Sequence, residues 1–146
     1  TVHRAPTMLG TGITGIGDVA GAYVQNRRKL SPYYRDLDAG SLPVERGYVL
    51  SPDDLVRRHV ITELMCNGWL SRAQVEARFG IDFGDYFAPE LAELEAGPVA
   101  DGLLETAAQQ LRATDLGRLF IRNICMVFDR YLRDRQRQGP TFSRTV

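Results

Sequence analysis

The stretch GRLFIRNICMVFDRYL, residues 117–132, sets the fold class of this chain. Its apolar positions cover more than one face of a helix, and a helix this apolar should be largely buried. Thr114 stands before it as a helix cap, and Asp115 places an acid in the first turn, where it complements the helix dipole. The pattern predicts one helix from Asp115 to about Arg135, packed into the core.

Upstream of this stretch the spacing is also helical. Ser51-Pro52-Asp53-Asp54 is typical of a helix start, and the apolar stripe that follows ends at Gly68. A short helix is predicted after the cap Ser71, and another within residues 85–94. The runs LLET and QLRAT, in residues 103–114, flank a small polar turn as in a β-hairpin. Three helices, a hairpin and a last helix predict a mainly α, winged-helix-like domain.

The composition shifts between about residues 40 and 52. Before this point, AYVQN at 22–26 predicts a short strand and residues 28–37 predict a helix, with proline tolerated in its first turn. Residues 44–50 are expected to form an extended connector. We therefore expect a domain boundary near residue 47.

The composition bounds the function classes. With 146 residues, 44% hydrophobic and 25% charged, the chain is typical of globular proteins, and 18 basic against 18 acidic side chains give no net charge. No run reaches the ~18 apolar residues that cross a bilayer. Cys66 and Cys125 each lie in an apolar run and are interpreted as reduced core thiols, without a disulfide or a zinc site. These features predict a cytoplasmic protein with no membrane or nucleic-acid partner.

A glycine-rich segment, GTGITG at 10–15, is the best local candidate for a ligand contact. It formally spells the G-x-G-x-x-G of dinucleotide sites, but that fingerprint needs a helix opening at the third glycine, which Gly17 and Gly21 would weaken. Two other interpretations stay open. The segment is either a glycine-bent loop without a ligand, or a loop whose missing Cβ atoms let the backbone approach one.

Charged and catalytic side chains give weaker signals. Arg122 lies in an otherwise apolar helix and predicts either an ion pair with Asp101 or Asp129 or a contact with a substrate carboxylate. Neither His3 nor His59 has a partner at metal or triad spacing, so we predict no catalytic residue and no metal ligand. The C-terminal arginines suggest DNA binding as an alternative function. The helix after Ser71 argues against it, because that helix has no cluster of side chains suited to contact base edges.

Several short motifs occur in a fixed order. They are GTGITGIGD at 10–18, YVQN at 23–26, RGYVLSPDDLVRR at 46–58, DYFAPEL at 85–91, VADGL at 99–103, and GRLFIRNICMVFDRYL with the terminal FSRTV at 142–146. In this order and spacing the chain resembles the C-terminal part of the oxygen-independent coproporphyrinogen III oxidases, radical enzymes of haem biosynthesis. A free-standing winged-helix module that binds proteins or nucleic acid is the second hypothesis.

The resemblance implies a domain organisation and a reaction. Residues 1–47 would be the last strand and helix of a (β/α) barrel with its connector, and residues 48–146 a helical domain that covers the barrel mouth. The implied reaction is oxidative decarboxylation of two propionates of coproporphyrinogen III. It uses S-adenosylmethionine and a [4Fe-4S] cluster held by C-x-x-x-C-x-x-C, which this chain lacks. We expect the chain alone to hold neither cofactor stably and to be inactive.

The resemblance also implies site residues. Ile13, or alternatively Ile16, would contact the second S-adenosylmethionine within a loop that includes Gly12 and Gly15. Arg122 and Arg144 are candidates for substrate contact. The implied partners are coproporphyrinogen III and the missing barrel of the same polypeptide. Apolar surface left uncovered by that barrel could make the chain self-associate.

Overall fold

The computed structural model describes residues 7–137, so His3, Arg144 and the FSRTV motif lie outside the described residues. The chain divides into two compact units, Thr1–Leu55 and Val56–Val146. Helices make up about half of it, and two small antiparallel sheets make up most of the remaining regular structure. Within residues 7–137, no helix combines the length and the apolar character needed to cross a bilayer.

The first unit is built on a three-stranded antiparallel sheet. Strands β1 (Ile16–Val19), β2 (Ala22–Asn26) and β3 (Val44–Val49) lie in that order, and helix α1 (Leu30–Asp38) connects β2 to β3. A two-residue turn joins β1 to β2 with both φ angles positive, at 49° and 77°, as tight hairpins require. The predicted AYVQN strand is confirmed, and the predicted extended connector is a paired strand, β3.

Ion pairs link the helix and the strands of this unit, which has little buried apolar surface. Arg27 donates from Nε to Asp36 on α1 at 2.8 Å, and Arg28 donates to Glu45 on β3. Among the described residues of the unit no aliphatic or aromatic side chain other than that of Pro43 is buried, whereas Leu42 is 83% exposed and Val49 78% exposed. A unit of this size gains little stability without buried apolar surface. Its apolar side chains therefore remain available to a covering structure.

The second unit contains the core. Its elements are α2 (Pro52–Asn67, which begins within the first unit), β4 (Trp69–Ser71), α3 (Arg72–Phe79), α4 (Phe83–Tyr86), α5 (Ala88–Leu94), a π-helical turn (Glu95–Val99), β5 (Leu104–Ala107), β6 (Gln110–Ala113), α6 (Asp115–Leu119), α7 (Ile121–Met126) and α8 (Arg130–Arg137). Antiparallel strands β4, β6 and β5 lie in that order. The predicted hairpin is confirmed as β5 and β6, and the helix predicted within residues 85–94 divides into α4 and α5.

Aromatic rings form the centre of this core. Phe83, Phe87 and Phe128 are fully buried. The ring centroid of Phe87 lies 4.9 Å from that of Phe83 and 5.3 Å from that of Phe128. Such tilted and edge-on pairs add stability beyond the area they bury. Leu64 of α2 and Leu111 of β6 are also fully buried. The last helices are thus tied to the hairpin and to α2 through one apolar cluster.

The prediction of a single buried helix over residues 115–135 is wrong, because the segment forms three short helices. Leu119 is 80% exposed and Phe120 45% exposed, so α6 presents apolar side chains to solvent. In contrast, α7 packs into the core, where its residue Ile124 is fully buried. The Asp129 carboxylate accepts the Leu132 N–H at 3.0 Å and starts α8 as a new helix.

Candidate functional site

The glycine-rich segment folds into a closed loop next to β1. Met8 and Asp18 close it by exchanging two backbone hydrogen bonds of 2.8 Å. Gly12 and Thr14 both have positive φ, 80° and 59°, in the turn at its tip. Strand β1 begins directly after Gly15, so no helix opens at the third glycine. The dinucleotide fingerprint spelled by the sequence is therefore not formed.

Two glycines of the loop are required by the loop's own backbone. A Cβ on Gly10 would lie 2.5 Å from the Ile16 nitrogen, and one on Gly15 would lie 2.8 Å from the Thr11 oxygen. Both distances are shorter than the 3.0 Å that real Cβ atoms keep from other atoms, and the atoms concerned belong to the backbone, so they cannot rotate away. At Gly12, by contrast, no atom lies within 4 Å of the Cβ position. The open side of the loop is thus at Gly12.

A buried amide fixes this conformation. Asn26, only 8% exposed at the end of β2, donates from Nδ2 to the carbonyl oxygens of Gly10 and Gly12, both at 3.0 Å. The Gly12 N–H donates to the Tyr33 hydroxyl of α1 at 3.2 Å, and the Thr14 N–H donates to the Arg27 carbonyl at 3.0 Å. Sequence reasoning missed Asn26 and Tyr33, although YVQN was among the motifs that carried the resemblance.

The loop presents apolar side chains at and after its tip. Ile13 lies at the tip between Gly12 and Thr14 and is 40% exposed, while Ile16 opens β1 and is 54% exposed. The Gly12 N–H donates to Tyr33 and the Gly12 carbonyl accepts from Asn26 and from Gly15, so a ligand at this position meets the Ile13 side chain. The arrangement suits an apolar contact.

Arg122, the candidate for substrate contact in the second unit, lies on α7 and is exposed. Arg122 projects from α7 into solvent and has no ion-pair partner among residues 7–137. An ion pair of Arg122 with Asp101 or Asp129 was predicted because a buried guanidinium needs a partner, and the exposed Arg122 has no such need. Next to it along the helix, Asn123 borders a shallow depression of about 180 Å³ with Met126 and Arg133. This volume is below the ~300 Å³ typical of small-molecule sites.

A buried charge network, which sequence reasoning also missed, lies beside that depression. The Glu90 carboxylate is 4% exposed and accepts from Arg57 at 2.8 Å and from Arg133 at 3.4 Å. Arg57 also donates to the Phe128 carbonyl at 3.2 Å, and Arg133 donates to Glu93. These bonds tie α2, α5 and α8 together, so the network is structural.

The cysteines differ in environment. Cys66 is exposed, while Cys125 is buried, and burial together with the nearby Cys66 raises the pKa of the Cys125 thiol to about 11. His59 is half-buried, with its ring 5.4 Å from that of Phe79. Among the residues that the structure describes, no group of three or more His, Cys, Asp or Glu side chains is placed to hold a metal ion.

Comparison with known proteins relates the chain to one family of enzymes. Residues 50–120 match the HemN C-terminal domain. The whole chain aligns at 44% identity with the oxygen-independent coproporphyrinogen III oxidase of Synechocystis, covering 32% of that protein, and at 40% identity with that of Escherichia coli K12, again covering 32%. Among solved structures, the Escherichia coli coproporphyrinogen III oxidase HemN, described as a radical SAM enzyme, superposes with a TM-score of 0.84. That match has 39% identity and covers 90% of this chain and 30% of HemN.

The chain thus spans about a third of the length of the relatives it matches. The match extends over both units, since the solved structure covers nine tenths of the chain.

Proposed function

Because residues 50–120 belong to the HemN C-terminal domain family, we propose that this chain is the C-terminal part of an oxygen-independent coproporphyrinogen III oxidase. The observation that carries the proposal is the 44% identity to such an oxidase over the entire chain. The activity of the whole protein would be the oxidative decarboxylation of coproporphyrinogen III to protoporphyrinogen IX in haem biosynthesis.

We assign different tasks to the two units. Residues 1–47 would be the end of a (β/α) barrel, and the exposed Leu9 and Leu42 support this, because no structure among the described residues covers them. Residues 48–146 would cover the barrel mouth. The order α2, β4, α3, α4, α5 and then the β5–β6 hairpin supports a winged-helix-like description of that domain. The barrel would be the first partner of this chain, and without it the chain would self-associate.

The chain's own residues fit one of the two implied cofactors. The exposed Ile13, or alternatively Ile16, with the open backbone at Gly12 would form one wall of an S-adenosylmethionine pocket. Gly15 would contribute by allowing the turn to close. S-adenosylmethionine supplies the radical chemistry of such enzymes when bound. The [4Fe-4S] cluster does not fit this chain, which has only two cysteines, and its ligands would come from the preceding sequence.

Arginine guanidinium groups are suited to bind the propionate carboxylates of the substrate. Arg122 is exposed and has no ion-pair partner among the described residues, so it is available for a bidentate contact with a carboxylate. Arg144, outside the described residues, is the second candidate. The alternative of a nucleic-acid module has less support, because the net charge is zero and phosphate binding needs a basic surface. We place the protein in the cytoplasm because its thiols are expected to be reduced.

Reading the gene upstream of Thr1 tests the proposal at once. We expect an in-frame C-x-x-x-C-x-x-C motif within the preceding sequence. A stop codon or an unrelated domain in its place would overturn the assignment.

In the full-length protein, Ile13→Asp and Ile16→Asp test the pocket separately. An aspartate at the correct position should weaken S-adenosylmethionine binding, because it puts a charge where an apolar contact is needed. The substitution at the other position serves as the control. Unchanged binding in both variants would remove the loop from the site.

A further inference from the structure

The Asn26 side chain is the buried polar group that controls the shape of the glycine loop. Two carbonyl oxygens, those of Gly10 and Gly12, face its Nδ2 at 3.0 Å, and an NH₂ group can satisfy both at once. The two carbonyls lie on either side of Thr11, in the loop segment that precedes Ile13. A single side chain therefore fixes where the tip of the loop points.

The backbone of Asn26 extends the same control to the other side of the loop. Its N–H donates to the Gly15 carbonyl at 2.9 Å, and the next residue, Arg27, accepts from the Thr14 N–H at 3.0 Å. The loop is thus held before and after its tip by the last residue of β2 and its neighbour. Ile13, which is 40% exposed, and the open side of Gly12 lie between these anchors.

The Thr14 φ of 59° shows why anchoring is needed. A β-branched residue at positive φ is strained, and such a conformation persists only when the surroundings enforce it. Removing the anchors would let the turn relax, and Ile13 would move with it.

We propose that Asn26 is a positioning residue that holds Ile13 in place against S-adenosylmethionine, with Tyr33 as a second support through the Gly12 N–H. The inference rests on the proposed function of the loop. It assigns a role to residues that would touch no reacting atom, and their effect is transmitted through the loop backbone.

The test uses the full-length protein with its cluster reconstituted under anaerobic conditions. Asn26→Asp keeps the shape of the side chain but replaces the donor with carboxylate oxygens that face two carbonyls. Gln25→Glu is the matched control, because it makes the same amide-to-acid change on the neighbouring residue, whose side chain accepts from Arg46 outside the loop. Binding of radiolabelled S-adenosylmethionine is measured by equilibrium dialysis, and hydrogen exchange is measured for residues 8–18.

We expect Asn26→Asp to lower the affinity for the second equivalent of S-adenosylmethionine about tenfold or more, since buried hydrogen bonds are lost and repulsion replaces them. Binding at the cluster and the visible spectrum should not change, and the loop amides should exchange faster. Gln25→Glu should match the unaltered protein in every measurement. A correctly folded Asn26→Asp protein with unchanged affinity and exchange would overturn the inference.

Tyr33→Phe keeps the inference testable if Asn26→Asp does not fold. It removes only the hydroxyl that accepts from Gly12 and should weaken the second binding event roughly threefold. Unchanged affinity in Tyr33→Phe would then count against the inference. If the unaltered full-length protein binds no S-adenosylmethionine, the proposed function fails and the inference fails with it. If it binds and the variants bind equally well, only the inference fails.

Discussion

Replacing Gly117 by alanine should destabilise the second unit strongly, although alanine is the better helix former. Gly117 lies in α6, where a Cβ would be 1.8 Å from the Leu103 carbonyl oxygen and 2.7 Å from its carbon. These are backbone atoms at the entrance to β5 and cannot rotate away. Ordinary contact begins at 3.4 Å, so α6 and the hairpin would have to separate by roughly 1.5 Å.

The separation would break specific bonds. The Leu103 carbonyl oxygen accepts from the Thr114 N–H at 3.1 Å and from the Thr114 hydroxyl at 3.3 Å. The same hydroxyl oxygen of Thr114 caps α6 by accepting the Gly117 N–H at 3.0 Å. Overpacking costs about 1–3 kcal/mol, and each lost hydrogen bond costs about 1 kcal/mol. The gain in helix propensity is at most about 1 kcal/mol. We therefore expect a net loss of about 3 kcal/mol in the free energy of unfolding.

Gly97→Ala is the matched control. Gly97 lies in the π-helical turn, where no atom is within 4 Å of the Cβ position, so alanine should be neutral or stabilise by up to about 1 kcal/mol. Urea unfolding of the chain, followed by the fluorescence of Trp69 on β4, measures both free energies. The same chemical change should have opposite or clearly different effects at the two positions. A Gly117→Ala protein as stable as the unaltered chain would refute the reasoning.

Three further predictions concern the buried charges and the thiols. Glu90→Gln should cost about 2–4 kcal/mol in urea unfolding, because it removes the charge of a buried carboxylate that pairs with the largely buried Arg57. The control Glu93→Gln should cost less than about 1 kcal/mol, since that carboxylate is largely exposed; equal effects would contradict a structural role for the network. Alkylation by iodoacetamide at pH 8 should modify Cys66 rapidly and Cys125 only after unfolding, because the Cys125 pKa of about 11 keeps its thiol protonated. That raised pKa stabilises the fold fully below pH 9 and loses its effect as the pH rises towards 11, so the stability difference from a Cys125→Ala variant should shrink over that interval. Equal alkylation rates for the two thiols in the folded chain would be inconsistent with this environment.

Local signals in the sequence predicted much of the fold. Ser71 caps α3 by accepting the Gln74 N–H, and Gly80 ends it in the left-handed conformation, as the residue types require. The hairpin was predicted because LLET and QLRAT alternate around a polar turn. Strand β4 was missed, because three residues are too few to show alternation and its pairing with β6 is a contact distant in sequence.

The errors arose where tertiary packing overrides periodicity. The apolar residues of the stretch 117–132 predicted one continuous helix, but close packing of Gly117 on the hairpin and capping by Asp129 divide it. Arg122 was expected to need a partner because of its apolar neighbours, and the division into short helices leaves it in solvent.

The candidate loop was found from its glycines, but the reason for them was not evident from the sequence. Gly10 and Gly15 make room for the loop's own backbone, and only the structure shows which atoms lie there. The roles of Asn26 and Tyr33 depend on contacts 14 to 21 residues away along the chain, which no local pattern reports.

The central claim is that this chain is the C-terminal part of an oxygen-independent coproporphyrinogen III oxidase. The most direct test is an anaerobic assay of the full-length protein, with reconstituted cluster, S-adenosylmethionine, a reductant and coproporphyrinogen III. The account predicts release of two molecules of carbon dioxide per porphyrinogen and formation of protoporphyrinogen IX. A protein with an intact cluster and bound S-adenosylmethionine that leaves coproporphyrinogen III unchanged would contradict it.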